Sequence, residues 1–327
     1  MFYLLLGCDF VISIQSISDA LNDFVVSRTL PETVNIPRNI QLELTTRCNL
    51  KCINCPRKDI PIKDMTFDEF KIILSNFPRV SGISYLGLGE TFLNNDVFEI
   101  TKYAKSKGIQ VTAFTNGSML VKQMRKKILD SGFDHVIFSV DGALKETHER
   151  IRPGSNFDSL KEIIRNLKSE AKAVNNPVKL GFSVVRTRSN VEELPGIIEL
   201  ASELGIDGVL IEDVEVVFEK QFYPSDYNWL RKEALHLASD EEKKGFKKII
   251  CLTIKKAKQA GIEIYMDKTL LPLRKRGGCK FPWQFVGVRA NGEISVCCLI
   301  GVFSNGNIFE QSLSEIWNNS KYKKLRN

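Results

Sequence analysis

Cys48, Cys52 and Cys55 lie in the run Thr46-Arg47-Cys48-Asn49-Leu50-Lys51-Cys52-Ile53-Asn54-Cys55-Pro56-Arg57, with the spacing C-x3-C-x2-C. Three thiolates this close can grip one face of a cubane iron–sulfur cluster, and soft sulfur donors favour such clusters. A closed site would need a fourth thiolate nearby, and the sequence has none there. One iron would therefore stay open, and an open coordination position is what a catalytic metal site needs. The plain alternative is structural zinc, which usually takes two C-x2-C pairs or adds histidine. The triplet is odd, and the histidines, His135, His148 and His236, are remote from it.

Such a loop needs a scaffold to present it. Strand-like apolar runs occur at Ile40–Thr45, Ile83–Gly87, Ile109–Phe114, His135–Val140, Val178–Val185 and Gly208–Asp213. Amphipathic stretches alternate with them: Thr66–Phe77, Val97–Lys107, Leu120–Ser131, Ser159–Val174 and Val191–Leu204. The first opens on Thr66-Phe67-Asp68-Glu69, a capping-box pattern. Six strand–helix units in series predict parallel strands with right-handed crossovers. The fold expected is α/β, a partial (β/α)6 TIM-like barrel whose active site lies at the carboxyl ends of the strands. The cysteine triplet falls just after the first strand, at that mouth.

At 327 residues the chain has room for one barrel-sized domain and a smaller appendage. Clustered cysteines in otherwise ordinary globular sequence point to metal or catalysis in a reducing compartment, so a cytoplasmic protein is expected. Met1 to Ile14 is apolar but short, lacks a basic leading segment and is interrupted by Asp9. It reads as a packing segment rather than a signal peptide or membrane span. The net charge of +7 is modest, and its runs, Lys243–Lys258, Arg274-Lys275-Arg276 and Lys321–Arg326, read as solvated faces. Interleaved aromatics of a nucleic-acid module are missing, so no nucleic-acid partner is expected.

Four further motifs stand at strand ends. Gly87-Leu88-Gly89-Glu90 closes the second strand, Thr115-Asn116-Gly117 follows the third, and Ser139-Val140-Asp141-Gly142 closes the fourth. Arg152 follows in Ile151-Arg152-Pro153-Gly154. Together with the cysteine triplet they resemble the radical S-adenosylmethionine (radical SAM) superfamily, and the resemblance runs from about Arg38 to the end. It implies a [4Fe–4S] cluster on Cys48, Cys52 and Cys55 whose open iron chelates SAM. One electron from a low-potential donor such as flavodoxin or ferredoxin then generates a 5′-deoxyadenosyl radical. By the same resemblance Gly89 and Glu90 match the motif that holds the SAM amino group. Thr115 and Asn116 match a second motif, Ser139 and Asp141 face the ribose, and Arg152 pairs with the SAM carboxylate. Thr91 stands where the family usually has proline. Asn190 and Glu212 are weaker candidates, for which a structural role is the simpler reading.

The C-terminal segment is similar to the opening of a SPASM/twitch auxiliary-cluster domain, with Cys279, Gly292 and Cys297 in its spacing. Val286–Arg289 and Glu293–Val296 predict a hairpin around Ala290-Asn291-Gly292, and Leu313–Leu325 predicts a helix. The usual final cysteines are absent before Asn327. Three readings stay open: a second cluster on Cys279, Cys297 and a third ligand; a degenerate domain that has lost its cluster; or a catalytic thiol at Cys298 or Cys251. The expected division is a packing segment over 1–37, the barrel core over 38–225, a helical connector over 226–270 and the auxiliary unit over 271–327.

Members with such appendages modify ribosomal peptides, dehydrogenate sugars or alcohols, or build cofactors, so the expected substrate is a small molecule or peptide. An oxidoreductase- or epimerase-type reaction is expected. The competing readings are a non-catalytic iron–sulfur or zinc protein serving electron transfer or assembly, and a basic nucleic-acid modifier of the same radical class.

Overall fold

Apolar residues recurring every second position make the strands, and those recurring every three or four make the helices that cover them. The computed structural model describes residues 36–55, 57, 60–214, 227–266, 283, 285–295 and 304–326. Met1–Ile14, the basic run 274–276, Val296 and the cysteines Cys279, Cys297 and Cys298 lie outside the described residues.

Seven parallel strands follow one another: β1 (Asn39–Leu42), β2 (Gly82–Tyr85), β3 (Gln110–Thr115), β4 (His135–Ser139), β5 (Lys179–Arg186), β6 (Gly208–Asp213) and β7 (Glu263–Met266). The helices between them are α1 (Phe67–Ser75), α2 (Val97–Ser106), α3 (Lys122–Ser131), α4 (Lys145–Ile151), α5 (Phe157–Ala173), α6 (Leu194–Glu203), α7 (Tyr227–Glu233) and α8 (Asp240–Ala260). The expected capping box forms: Glu69 N donates to Thr66 Oγ1 and Thr66 N donates to Glu69 Oε2.

Two elements depart from the expected pattern. The connector over 226–270 is not wholly helical: α8 ends at Gly261, and Glu263–Met266 joins the sheet as a seventh parallel strand beside β6. It is an edge strand of the sheet, its residues alternately exposed and half-buried, so it lacks the buried apolar positions that mark β1 to β6. The fourth crossover holds two helices rather than one, because α4 precedes α5.

The C-terminal hairpin forms where expected, as β8 (Gly287–Val288) and β9 (Glu293–Ser295), antiparallel to each other. It is not a separate layer. β8 pairs in parallel with β1, and β10 (Ser304–Asn307) pairs with β9, giving one ten-stranded sheet ordered β10-β9-β8-β1-β2-β3-β4-β5-β6-β7. The predicted last helix is two, α9 (Leu313–Trp317) and α10 (Ser320–Arg326).

The register sorts the strand residues onto two faces. Ile83, Val111, Val136 and Phe138 are buried in one core with Ile73, Ile100, Ile128, Ile164 and Ile197 of the helices. The opposite face carries Ser84 beside Thr112, Thr112 beside His135, and Ser139 beside Ser183, with Glu212 one step beyond on β6. The strands thus turn a mainly polar face, which also carries Phe114, Ile137, Val185 and Leu210, away from the helices. No helix among the described residues is long and apolar enough to cross a membrane.

Candidate iron–sulfur and SAM site

Past Leu42 the chain stays extended and leaves the sheet at Thr45, which bridges antiparallel to Asp64. Thr45 Oγ1 donates to Asp64 Oδ1 at 2.5 Å, and Arg47 Nε donates to the same oxygen at 3.1 Å. Thr46 Oγ1 donates to the Pro61 carbonyl and accepts from Lys63 N, both at 2.8 Å. These bonds close the base of the loop that carries the three cysteines.

The loop is held on its other sides by the motif segments. Lys51 N donates to Pro153 O and Ile53 N to Ile151 O, which lays Cys52 alongside Arg152. Arg152 Nη1 lies 3.9 Å from Cys52 Sγ, while its Nε donates to Asp141 Oδ2 at 2.8 Å. Asn116 Nδ2 donates to Asn49 Oδ1 at 3.0 Å and lies 3.9 Å from Cys48 Sγ. All three thiols are half-buried and unbridged. Burial pushes the Cys52 thiol up to about 11 and raises that of Cys55, so each is neutral until a metal takes its proton.

The donor set fits a cubane cluster. Such a cluster takes each thiolate on a different iron, and N–H groups beside two of the sulfurs are the hydrogen bonds that tune it. Among the described residues no three His, Cys, Asp or Glu side chains converge where they could hold a single metal ion, as structural zinc requires.

Gly89 and Glu90 serve the loop's backbone. Glu90 N donates to Arg47 O at 2.7 Å. A Cβ on Gly89 would stand 2.1 Å from the Thr45 carbonyl oxygen, so only glycine permits this approach. The close approach that this glycine permits is made to the cysteine loop. The Glu90 carboxylate is buried and accepts from Thr115 Oγ1 at 2.6 Å and Asn116 N at 2.7 Å. Burial raises its pKa, opposed by those same donors. Thr115 and Glu90 are thus joined to each other, and they fix the turn that aims Asn116 at Cys48.

Ser139 is half-buried at the end of β4 on the polar face, but Asp141 is fully buried. One Asp141 oxygen accepts from Val185 N at 2.9 Å and the other from Arg152. Asp141 lies beyond the end of β4, with its carboxylate engaged by Arg152 and by Val185 N. Asn190 is buried and donates to the carbonyls of Asp141 and Val185 at 2.9 Å, the structural role expected of it. Glu212 is exposed at the end of β6. Cys251 lies mid-way along α8, far in sequence from the triplet.

Four buried residues carry no site assignment in the sequence analysis. Glu43, His148 and the Arg186–Asp213 ion pair are all 6% exposed or less. His148 Nδ1 accepts from Asp141 N at 3.4 Å and its ring stacks on Phe157 at 4.9 Å. Burial and the neighbouring Arg152 charge depress His148 to about 3, so it is neutral. Glu43 carried a usable signal, a lone carboxylate inside an apolar strand run.

Comparison with known proteins places this geometry. The radical SAM superfamily model matches residues 42–201, and the SPASM iron–sulfur cluster-binding domain matches 279–327. An AdoMet-dependent heme synthase of Methanosarcina barkeri is 31% identical over 89% of this chain and 85% of its own. A cofactor-modifying protein for tungsten-containing aldehyde ferredoxin oxidoreductase, from Pyrococcus furiosus, is 25% identical over 88% of this chain and 82% of its own. The crystal structure of Streptococcus suis SuiB bound to precursor peptide SuiA superposes with a TM-score of 0.71 at 17% identity, covering 96% of this chain and 73% of that one. That last likeness is one of fold. The family's cofactors are a [4Fe–4S] cluster and SAM, and the chain belongs to the radical SAM superfamily, with a SPASM domain at its C-terminus.

Proposed function

We propose that Cys48, Cys52 and Cys55 hold the [4Fe–4S] cluster, with SAM beside its open iron, and that the enzyme removes a hydrogen atom from a substrate resting on the polar face of the strands. The observation that carries this is the clamping of the cysteine loop between the ends of β1, β3 and β4, with Asn116 beside Cys48 and Arg152 beside Cys52. When bound, the cluster and SAM supply the radical chemistry. The protein supplies position and exclusion of water.

Each motif residue then has a task. Glu90 and Thr115 fix the turn carrying Asn116, and Asp141 orients the Arg152 guanidinium. Arg152 has further N–H groups beyond those used by Asp141 and Cys52, and a guanidinium fork suits the SAM carboxylate. Ser139, half-buried on the polar face, stands open to the ribose. The electron comes from a low-potential donor of flavodoxin or ferredoxin type.

Of the reaction classes that the family resemblance implies, we favour the building or modification of a cofactor. Relatives matched over most of both chains are named for heme synthesis and for cofactor modification. Peptide modification and sugar or alcohol dehydrogenation are the alternatives.

The test is the EPR spectrum of the anaerobically reconstituted, reduced protein. SAM should shift the cluster signal, and replacing any one of Cys48, Cys52 or Cys55 by Ala should abolish 5′-deoxyadenosine formation. A variant that still made 5′-deoxyadenosine at the parental rate would sink the ligand assignment. An unshifted parental spectrum would leave a non-catalytic iron–sulfur protein.

A further inference from the structure

Glu43 lies where β1 leaves the sheet and is 1% exposed. Its two carboxylate oxygens serve distant parts of the chain. Oε1 accepts from Leu88 N, in the turn 87–90, at 2.9 Å. Oε2 accepts from Ala290 N, in the C-terminal hairpin turn, at 3.3 Å. Glu43 N also donates to Val288 O at 2.8 Å.

The surroundings are shaped to this side chain. A Cβ on Gly87 would stand 2.5 Å from Glu43 Cγ, so the glycine makes room for the carboxylate. Arg289 Nε lies 3.9 Å from Oε2, buried and without a hydrogen-bond partner, while Arg289 Nη1 binds Glu293 at 2.6 Å. Burying a carboxylate is costly unless it is hydrogen-bonded, and burial does raise the pKa of Glu43 against the pull of Leu88 N, Ala290 N and Arg289. An apolar residue would fill the same volume without that cost. What the carboxylate adds is a bond to each of two segments that sequence places about 200 residues apart.

We propose that Glu43 is a positioning residue that ties the C-terminal hairpin to the turn 87–90, so that order in one depends on order in the other. Coupling of this kind is reciprocal. On the reading given under Proposed function, SAM settling against the turn steadies the hairpin, and the C-terminal unit in turn steadies the SAM site. The tie itself is a property of the apoprotein and does not rest on that reading.

Hydrogen exchange followed by mass spectrometry tests it, in the full-length apoprotein, with Glu43→Gln and Gly87→Ala. Glutamine keeps the shape but turns one acceptor into a donor facing an N–H. Amides in 285–295 and in 86–90 should both exchange about tenfold faster in Glu43→Gln, the order expected for losing a charge-assisted hydrogen bond. Gly87→Ala, whose added methyl meets Glu43, should speed exchange in the hairpin as well. The double variant should add little to either single one. Unchanged hairpin exchange in Gly87→Ala, or full additivity, would overturn the tie, and Gly87→Ala decides alone where Glu43→Gln does not fold. In reconstituted protein, SAM should slow hairpin exchange in the parent but not in Glu43→Gln. A parent hairpin indifferent to SAM, with the apoprotein results as expected, would overturn the coupling to SAM while upholding the tie.

Discussion

Arg152 and Asp141 form a buried pair, Nε to Oδ2 at 2.8 Å, in which the aspartate is fully enclosed and the arginine side chain is 12% exposed. The same guanidinium lies 3.9 Å from Cys52 Sγ. Asp141 therefore decides where Arg152 points. Removing one partner of a buried pair leaves the other uncompensated and costs about 3 kcal/mol or more. Asp141→Asn should lower apoprotein stability by that order in urea unfolding, while Arg152→Lys should lose less, because a cation remains beside the carboxylate. Equal stability of Asp141→Asn and the parent would contradict the pairing.

Arg152 places positive charge and an N–H donor beside a thiol proposed to ligate the cluster. Hydrogen bonds to cluster sulfurs are among the determinants of its potential, and positive charge favours the reduced, more negative state. Arg152→Leu should therefore lower the cluster's reduction potential without releasing its iron. An EPR-monitored redox titration at fixed SAM-free conditions checks this. An unchanged potential with intact iron would mean that the 3.9 Å approach is not felt by the cluster.

Much of this was legible in the residues. The cysteine spacing, the strand-end motifs and the alternation of β2 to β6 are strong local signals, and the motifs follow strands that pair in parallel. What escaped was non-local. Glu43 reads as an interruption in an apolar run, and its partners Leu88 and Ala290 are brought to it only by sheet pairing. The pairing of Asp141 with Arg152 likewise joins residues on two different segments, the end of β4 and the loop after α4, and no local pattern announces it. Gly89 stands out by its motif, but the carbonyls of Thr45 and Arg47 that crowd it come from a segment about forty residues away, which no local pattern shows. Strand β7 sits at the sheet edge with no fully buried residue, so no buried apolar pattern announces it.

His148 makes stability depend on pH. It is depressed to about 3 in the fold by burial and by Arg152, against 6.5 when exposed. Between those values the unfolded chain binds a proton that the folded chain refuses. Its contribution is thus fully present above 6.5 and falls as pH drops, by up to about 1.4 kcal/mol per pH unit. His148→Gln keeps an acceptor for Asp141 N but cannot titrate. The apoprotein should lose about 2 kcal/mol more than this variant between pH 7 and pH 5. Urea unfolding of both proteins at the two pH values measures the difference. Parallel curves would show that His148 charges freely in the fold.

On the function proposed above, the C-terminal cysteines would decide what kind of reaction follows hydrogen abstraction. A second cluster could accept the electron left on a substrate radical and so favour net oxidation, whereas a lone thiol at Cys298 or Cys251 would favour hydrogen return and a redox-neutral product. The match of 279–327 to an iron–sulfur cluster-binding domain favours the first. The triple variant Cys48/Cys52/Cys55→Ala, reconstituted anaerobically beside the parent, should then keep about half of the parental iron and sulfide. Further replacement of Cys279 and Cys297 should remove the remainder. The closing helices α9 and α10 should stay folded throughout, since Trp317 and Tyr322 are fully buried against each other at 4.7 Å with no cysteine between them. Complete loss of iron in the triple variant would instead make this a single-cluster enzyme, and transfer of a solvent-derived deuterium to the product, lost when Cys298 or Cys251 is replaced by Ala, would become the measurement that defines its chemistry.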